Sequence, residues 1–491
     1  MTDDKRGPES GRQQWGTLLA VSAAQLLVVL DGTIVNIALP SAQRALGMSD
    51  AGRQWAITAY ALAFGGLLLA GGRISSLLGH RRTFLLGLTG FVASSVLGGA
   101  AVDPGMLFGA RALQGAFAAA LAPAGLSLLT TTFTGTRERG RALGVFAAVG
   151  AAGSALGLVA GGLLTEYTSW RWCLYINVPV ALLAGVGTAL VPPDRPVDDG
   201  GRLDVPGALL SAGGFAAVVY GFNQAAPLGW GSPVVVSLLA CGVLLLAGFV
   251  VVEIRAPHPL LPMRVLLHRA RAGAFTSITL MFVAMFGFYL FMSYYTQTVL
   301  GYSPVQAGLT LLVNAAAALL GSALIAGKLH GRVTPATLIL PGLAAAAAGM
   351  LILTRLTPQS SDVLPFHLVP ALTLTGLGLG CVMPATAGLA TAGMQGHDIG
   401  AASAAYHAAQ QLGAALGTAL LNTVAAGTAA SYLAPARHTA APAAASVHGY
   451  TTALAVACGI LVAAVCLAAL LVASRGGARA SERKESTLPS A

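Results

Sequence analysis

Two charged residues, Asp31 and Arg111, stand apart from the other charges of this sequence because each lies deep inside a long apolar segment. The remaining Lys, Arg, Asp and Glu residues fall in polar stretches or at the ends of apolar ones. A charge at the centre of a bilayer costs about 2.5–3.5 kcal/mol and is retained there mostly for function. A buried acid and a buried base could handle protons or bind a charged solute. The alternative is a structural ion pair that fixes helix packing.

The composition predicts a protein embedded in a membrane. Of its 491 residues, 56% are hydrophobic and 9% are charged, whereas soluble domains carry about 25% charged residues. The net charge is +10, and the basic residues are spread over short loops. This distribution indicates membrane topology rather than binding to nucleic acid. We therefore expect a lipid bilayer as a partner and no nucleic acid. The five cysteines lack metal-ligand spacing, so no metal site is predicted.

Fourteen apolar segments are each long enough to cross a bilayer as a helix. They lie near residues 15–39, 54–72, 83–101, 105–131, 142–164, 173–191, 205–222, 233–252, 274–298, 304–325, 336–355, 365–391, 400–424 and 450–473. An even count places both termini on one side. The tails and loops of that side hold 21 of the 27 Lys and Arg residues. Because basic residues concentrate in cytoplasmic loops, both termini are predicted to be cytoplasmic in the plasma membrane.

The predicted fold is an all-α integral membrane protein with two six-helix bundles and two additional central helices. The bundles span residues 15–192 and 256–474, the linker with the additional helices spans 193–255, and the cytoplasmic tails are 1–14 and 475–491. Paired six-helix bundles are typical of alternating-access transporters. No GxxxxGK[ST] phosphate loop is present, so we expect a proton gradient as the energy source and no cofactor.

Several motifs resemble those of one family. They are LDGTIVNIALP (Leu30–Pro40), GRISSLLGHRRTF (Gly72–Phe84), LFGARALQGAFAAA (Leu107–Ala120), the glycine pattern of Gly144–Gly162, and WRWCLYINVP (Trp170–Pro179). Together they resemble the fourteen-span drug:proton antiporters of the major facilitator superfamily, which are multidrug and antibiotic exporters. The resemblance covers nearly the whole chain.

The resemblance implies that Asp31 takes part in proton coupling or in recognition of cationic drugs. It implies that Arg111 is involved in proton transfer, and an arginine, which is always charged, would act by setting the pKa of a neighbouring acid. Gln114 follows Arg111 by three residues and shares its helix face. Asn36, Gln114 and Asn177 are candidates for the substrate path, although Asn36 could equally form a packing bond between helices.

The loop motif contains candidate gating residues, namely Gly72, Ser76, Gly79, Arg81 and Arg82. In the family, an acid that stabilises the outward-facing gate occupies the position of Ser76. Ser76 could cap a helix N-terminus but cannot supply a charge. The two arginines could simply be topological anchors.

The glycine pattern is the motif most diagnostic of exporters in this superfamily. Small residues let helices approach closely and slide, so this face is predicted to take part in conformational gating. Generic glycine packing is the alternative, and Leu158 replaces the family's proline. The glycines concerned are Gly144, Gly153, Gly157, Gly161 and Gly162.

Polar groups in the second half of the chain are further candidates for the substrate path. His407 is notable because an imidazole titrates near neutral pH, although a neutral histidine hydrogen-bonded between helices is an alternative. The candidates are Tyr294, Gln297, Asn314, His407 and Gln410.

We therefore expect a proton-coupled exporter of small amphipathic, drug-like molecules, acting by alternating access. One alternative is a secondary exporter of a metabolite, siderophore or amino acid. An integral-membrane enzyme is a third class, but the sequence has no cluster of catalytic His, Asp or Cys at one membrane face. Neither the substrate nor the oligomeric state follows from the sequence.

Overall fold

The computed structural model describes residues 8–191, 203–329, 332–357, 363–394, 398–432 and 442–472. Within these ranges, fourteen helices are long and apolar enough to cross a membrane, as the sequence predicts. In chain order they are α1 (Pro8–Leu46), α2 (Asp50–Leu78), α3 (His80–Gly99), α4 (Pro104–Thr132), α5 (Thr136–Tyr167), α6 (Trp172–Ala189), α7 (Val205–Leu228), α8 (Pro233–Arg255), α9 (Arg269–Val299), α10 (Val305–Leu329), α11 (Pro335–Leu353), α12 (Leu364–Ala390), α13 (Asp398–Tyr432) and α14 (Pro442–Val472).

Several helices extend beyond the apolar segments that predicted them. Residues 8–14, expected in the amino-terminal tail, belong to α1. Capping groups rather than hydropathy set such ends. At the start of α4, for example, the Asp103 carboxylate accepts a hydrogen bond from the Met106 amide at 3.0 Å. The predicted carboxy-terminal tail 475–491 and linker residues 193–202 lie outside the described residues.

Helices α1–α6 pack together as an amino-terminal bundle, and α9–α14 as a carboxy-terminal bundle. Because fourteen consecutive crossings alternate in direction, α1 begins and α14 ends at the same end of the molecule, here called the tail side. The opposite end is called the far side. Glycine and alanine fill many helix contacts, which allows close approach of the backbones.

The two additional helices, α7 and α8, lie beside the junction of the bundles. Helix α7 contacts both α2 and α13, whereas α8 packs mainly on α7. The Phe215 ring on α7 occupies the space above Gly65 of α2, where a Cβ atom would lie only 1.9 Å from the ring. At the far side, the Trp230 indole donates a hydrogen bond to Thr423 of α13 at 2.9 Å. The extra helices therefore contact both bundles.

The two bundles meet closely at the tail side, in a set of contacts that we call the tail-side seam. A Cβ atom on Gly72 would lie 2.6 Å from the carbonyl oxygen of Gly400, so these two backbones touch. The Ser127 hydroxyl donates to the Ser403 hydroxyl at 3.2 Å. The Ser322 hydroxyl donates to the Gly144 carbonyl, and Arg139 donates to the Thr391 hydroxyl. These contacts close the tail side between the bundles.

Candidate functional site

Asp31 and Arg111 form an ion pair in the interior of the amino-terminal bundle. Asp31 on α1 is 0% exposed and Arg111 on α4 is 2% exposed. The Arg111 Nη1 atom donates to Asp31 Oδ2 at 2.5 Å. The structure thus brings together the two charges that the sequence places in apolar segments.

Two side-chain amides complete the hydrogen bonding of the Asp31 carboxylate. Asn177 Nδ2 on α6 donates to Asp31 Oδ1 at 2.8 Å, and Gln114 Nε2 on α4 donates to the same oxygen at 3.2 Å. The Gln114 Oε1 atom accepts from Arg111 Nη1 at 2.8 Å. Both carboxylate oxygens therefore accept hydrogen bonds, and one acid links α1, α4 and α6.

Residues that the sequence did not single out also belong to this cluster. Ser95 on α3 accepts from Gln114 at 2.7 Å and from Asn177 at 3.2 Å. The Arg111 guanidinium lies 4.5 Å from the ring centroid of Tyr60 on α2, a cation–π contact, and its Nε atom donates to the Ala56 carbonyl at 3.2 Å. Serine and tyrosine are common in apolar helices, so their types and spacing gave no signal.

Protonation of Asp31 would change the pattern of hydrogen bonds in this cluster. An ionised carboxylate only accepts hydrogen bonds, whereas a protonated one must also donate. All the groups bonded to Asp31 are N–H donors, so a proton on Asp31 would displace at least one of them. Two nearby atoms that could accept a hydrogen bond from a protonated Asp31 have no hydrogen-bond partner. They are the Asn177 Oδ1 atom and the Tyr60 hydroxyl oxygen. Protonation would therefore rearrange contacts that hold the helices of this bundle together.

A small cavity borders the ion pair toward the far side. Its volume is about 10 Å³, close to the minimum that holds one water molecule. Arg111 is the only charged residue among its lining side chains, and the rest of the wall is apolar apart from the indole nitrogen of Trp170. The other residues that line it are Val35, Ala38, Leu39, Ala42, Ala56, Leu107, Trp170 and Leu174. Asp31 is thus enclosed within one bundle rather than exposed between the two.

The central glycines of the α5 motif face the helix that carries Asp31. A Cβ atom on Gly157 would lie 1.9 Å from Thr33 Oγ1, and one on Gly153 would lie 3.1 Å from Leu26. A Cβ atom on Gly161 would meet Ile34 at 3.1 Å. The glycines therefore form a track for α1 within the amino-terminal bundle.

The two outer glycines of the motif contact the other bundle. Gly144 abuts Ser322 of α10, which lies in a π-helical segment, Leu320–Ala326. Gly162 lies near Val305 at the far side, where its Cβ would be 3.6 Å away. Helix α5 thus contacts α1 on one face and α10 on another.

The loop motif divides between the seam and the α2–α3 turn. Gly79 has a φ angle of +93°, a backbone conformation that favours glycine. Ser76 is buried in the last turn of α2 and donates to the Arg73 carbonyl at 2.8 Å. The sequence allowed Ser76 to cap a helix N-terminus, but in the structure it does not. Arg81 donates to the Thr188 carbonyl at 3.3 Å, and Arg82 is exposed.

The remaining polar candidates do not converge on the ion pair. Asn314 lies between helices, where it accepts a hydrogen bond from Tyr289 at 2.8 Å and donates one to Thr375 at 2.8 Å. Tyr294 is 45% exposed, and Gln297 donates to Ser293 one turn away. Asn314 therefore bonds to neighbouring helices, Gln297 bonds within its own helix, and Tyr294 is partly exposed.

Three other candidates lie between the bundles or open to the surroundings. Asn36 is exposed and donates to the Gly32 carbonyl at 3.0 Å. His407 and Gln410 on α13 are each 5% exposed and contact each other at 3.2 Å. His407 lies on the side of α13 that approaches Ala122 of α4.

Residues 21–418 match the Major Facilitator Superfamily. The chain belongs to the major facilitator superfamily. This transporter is 55% identical to the puromycin resistance protein of Streptomyces alboniger, over 96% of this chain and 93% of the relative. It is 39% identical to the cephamycin export protein of Amycolatopsis lactamdurans, over 83% of this chain and 84% of that relative.

A solved structure shows the same fold at low sequence identity. The proton:xylose symporter XylE, bound to 6-bromo-6-deoxy-D-glucose, superposes with a TM-score of 0.64 at 15% identity. The match covers 94% of the transporter and 96% of the symporter chain. The predicted family and fold are therefore confirmed, and the relatives are antibiotic exporters and resistance proteins.

Proposed function

We propose that this transporter exports amphipathic antibiotics or other drug-like molecules across the plasma membrane in exchange for protons. The observation that carries the proposal is the enclosed Asp31 cluster. Its carboxylate accepts hydrogen bonds from three side chains on α4 and α6, so its charge controls contacts among helices. The relatives, a puromycin resistance protein and a cephamycin export protein, support an antibiotic as the cargo.

The proton in this mechanism acts through helix packing. A proton that reaches Asp31 from the far side, past the small cavity beside Arg111, neutralises the acid and weakens its attraction to the guanidinium. Helix α1 then changes its position against the glycine track of α5. Since α5 also contacts α10 at Gly144, the change reaches the carboxy-terminal bundle. Loss of the proton to the other side reverses the movement.

The cargo in this mechanism binds away from the ion pair. Asp31 is enclosed inside one bundle, so drug and proton are coupled through conformation rather than by competition for one carboxylate. Cargo occupies the space between the bundles, in turn open to each side of the membrane. The tail side, with most of the basic loops, faces the cytoplasm.

Transport by purified protein in liposomes tests this function. A pH gradient is imposed across the liposome membrane, and accumulation is measured for puromycin, a cephamycin, an amino acid and an iron-free siderophore. We expect uphill movement of at least one antibiotic, in the direction opposite to the proton gradient, and loss of that movement when an ionophore collapses the gradient. Transport that is indifferent to the gradient would contradict proton coupling. Transport of the amino acid or siderophore alone would favour a metabolite exporter.

A further inference from the structure

Helix α13 presents a stripe of small and polar residues to the amino-terminal bundle. Gly400 touches Gly72 of α2, and Ser403 accepts a hydrogen bond from Ser127 of α4. His407 comes next at the same helical spacing, and its imidazole faces the backbone of Ala122 on α4. The histidine therefore continues the tail-side seam toward the middle of the membrane.

The hydrogen bonding of His407 leaves one ring nitrogen unsatisfied. Its Nδ1 atom lies 3.2 Å from Gln410 Oε1. An amide oxygen only accepts, so Nδ1 is the donor in this contact. Neither His407 Nε2 nor Gln410 Nε2 makes a well-aligned hydrogen bond, although both residues are only 5% exposed. The backbone of Ala122 is the polar group that approaches the ring from α4.

No charged group balances a proton on this ring within the described residues. The other neighbour of the imidazole is the edge of the Tyr406 ring, 5.9 Å away between centroids. Ionisable groups on the elements packed against α13 make no hydrogen bond, ion pair or ring contact with His407. Those whose side chains the structure describes are Tyr60 and Arg73 on α2, Arg111 on α4, Asp204 and Tyr220 beside and on α7, Arg264 on the short helix Met263–Leu267, Arg269, Arg271, Tyr289, Tyr294 and Tyr295 on α9, His367 and Cys381 on α12, His448, Tyr450, Cys458 and Cys466 on α14, and Asp398 and Tyr432 on α13 itself.

We propose that His407 is a second proton-binding site, separate from Asp31, which senses pH on the tail side and controls the opening of the tail-side seam. In the closed seam, the imidazole is neutral because a charged ring would be dry and would face no carboxylate. When the seam opens, water reaches Nε2 and the ring can take up a proton. The protonated ring then opposes closure until it releases the proton to the tail side.

This proposal rests on alternating access, which belongs to the proposed function, but it concerns a different proton. The Asp31 proton arrives from the far side and drives export. The His407 proton comes from the tail side and holds the transporter open there. Acid on the tail side should therefore slow export even where the driving gradient is held constant.

Distance measurements between spin labels test the proposal directly. Labels are attached at Arg12→Cys on α1 and Lys328→Cys on α10, which are both exposed and lie in different bundles at the tail side. The five native cysteines are first replaced, and efflux by this background is verified. We expect the population with the longer, open distance to grow as pH falls through about 6.5, the ordinary histidine pKa. One proton limits this growth to about tenfold per pH unit.

Two histidine variants make the measurement decisive. His407→Gln retains a hydrogen-bonding side chain without an ionisable ring and should leave the open population independent of pH in this range. His448→Gln removes an exposed histidine near the start of α14, at the far side of the molecule, and should behave as the parent does. The proposal is overturned if His407→Gln keeps the pH response, or if both variants lose it equally.

The failure of this proposal can be told apart from failure of the proposed function. If a transported drug changes the distance but acid does not, the role of His407 is wrong and alternating access stands. If neither acid, drug nor Asp31→Asn changes the distance, both are wrong.

Discussion

At the scale of single residues, Asp31 and Arg111 each depend on the other for a place in the apolar interior. Removal of one partner of a buried ion pair leaves the other charge uncompensated and costs about 3–5 kcal/mol, whereas replacing both is often neutral. Here the pair is also bonded to Gln114 and Asn177. The stability of the bundle and the chemistry of the acid are therefore coupled, and the two can be separated by mutation.

A double-mutant cycle on this pair should separate stability from transport. We expect Asp31→Asn and Arg111→Gln each to lower the temperature of thermal unfolding in detergent, because each leaves one buried charge. The free energy of unfolding of the double variant should exceed the value expected from adding the two single losses by about 0.5–3 kcal/mol. The double variant should not regain proton-driven efflux. Strict additivity of the losses would show that the two charges do not interact as the structure indicates.

Ser76 provides a test of a residue that the family motif places at the gate. It donates one buried hydrogen bond to the Arg73 carbonyl at 2.8 Å and carries no charge. We expect Ser76→Ala to reduce efflux only modestly, since a buried hydrogen bond contributes about 1 kcal/mol. Efflux from cells with matched protein levels is the measurement. A complete loss of efflux at normal expression would assign the hydroxyl a specific role in gating.

At the scale of helices, the glycine track of α5 determines how closely α1 can approach. A Cβ atom at Gly157 would come within 1.9 Å of Thr33 Oγ1 and 3.1 Å of the Leu30 carbonyl oxygen. Since Leu30 precedes Asp31, any larger residue at 157 pushes directly on the turn that holds the acid. The track thus links the glycine motif to the ion pair.

Leucine at Gly157 should therefore abolish efflux while the protein still inserts into the membrane. Gly185→Leu on α6 is a matched control, because a Cβ atom there would meet nothing within 4 Å. Membrane insertion is checked by the amount of protein in the membrane fraction, and efflux by drug accumulation in cells. Equal efflux from the two variants would remove the role assigned to the track.

The helices also show where prediction from sequence succeeds and where it does not. Asp31 and Arg111 are recognisable because a charge in an apolar segment is expensive, whatever the neighbouring helices are. Asn314 and Tyr294 are polar or amphipathic groups in apolar segments too, but their roles depend on which helices face them. Asn314 is bonded to Tyr289 and Thr375, and Tyr294 is 45% exposed. Such facing is set by tertiary packing, which one sequence does not encode in its local spacing.

The glycine motif shows that a sequence pattern can predict a packing face without predicting the helix that packs on it. Its spacing correctly indicates a face for close packing, but Gly157 meets α1 whereas Gly144 meets α10. Spacing along one helix cannot distinguish a partner in the same bundle from one in the other. The seam residue Ser127 was likewise not predicted, because its partner Ser403 lies far away in the sequence.

At the scale of the whole molecule, the alternation of basic loops predicts the orientation in the membrane. An impermeant maleimide should label Thr439→Cys, between α13 and α14 and outside the described residues, in intact cells. It should label Leu267→Cys, which replaces a side chain 79% exposed on the tail side, only after permeabilisation. Both variants require a background without native cysteines. The reverse pattern would place the tail side outside the cell and reverse the direction assigned to export.

The extra helices affect how the bundles can move. Helix α7 is anchored on α2 by Phe215 over Gly65 and reaches α13 through the neighbouring Trp230–Thr423 hydrogen bond. Helix α7 packs more extensively on α2 than on α13, so α7 and α8 are expected to move with the amino-terminal bundle. The Trp230 bond is then one that must break or shift when the far side rearranges.

The coupling of drug movement to proton movement through Asp31 is tested most directly in liposomes that contain a pH-sensitive dye. Adding a transported drug outside should raise the internal pH as protons leave in exchange, beyond the change seen in liposomes without protein. Asp31→Asn should still exchange labelled for unlabelled drug but should produce no change in pH above that background. If Asp31→Asn moves protons and drug in the same ratio as the parent, the coupling proton is not carried at Asp31.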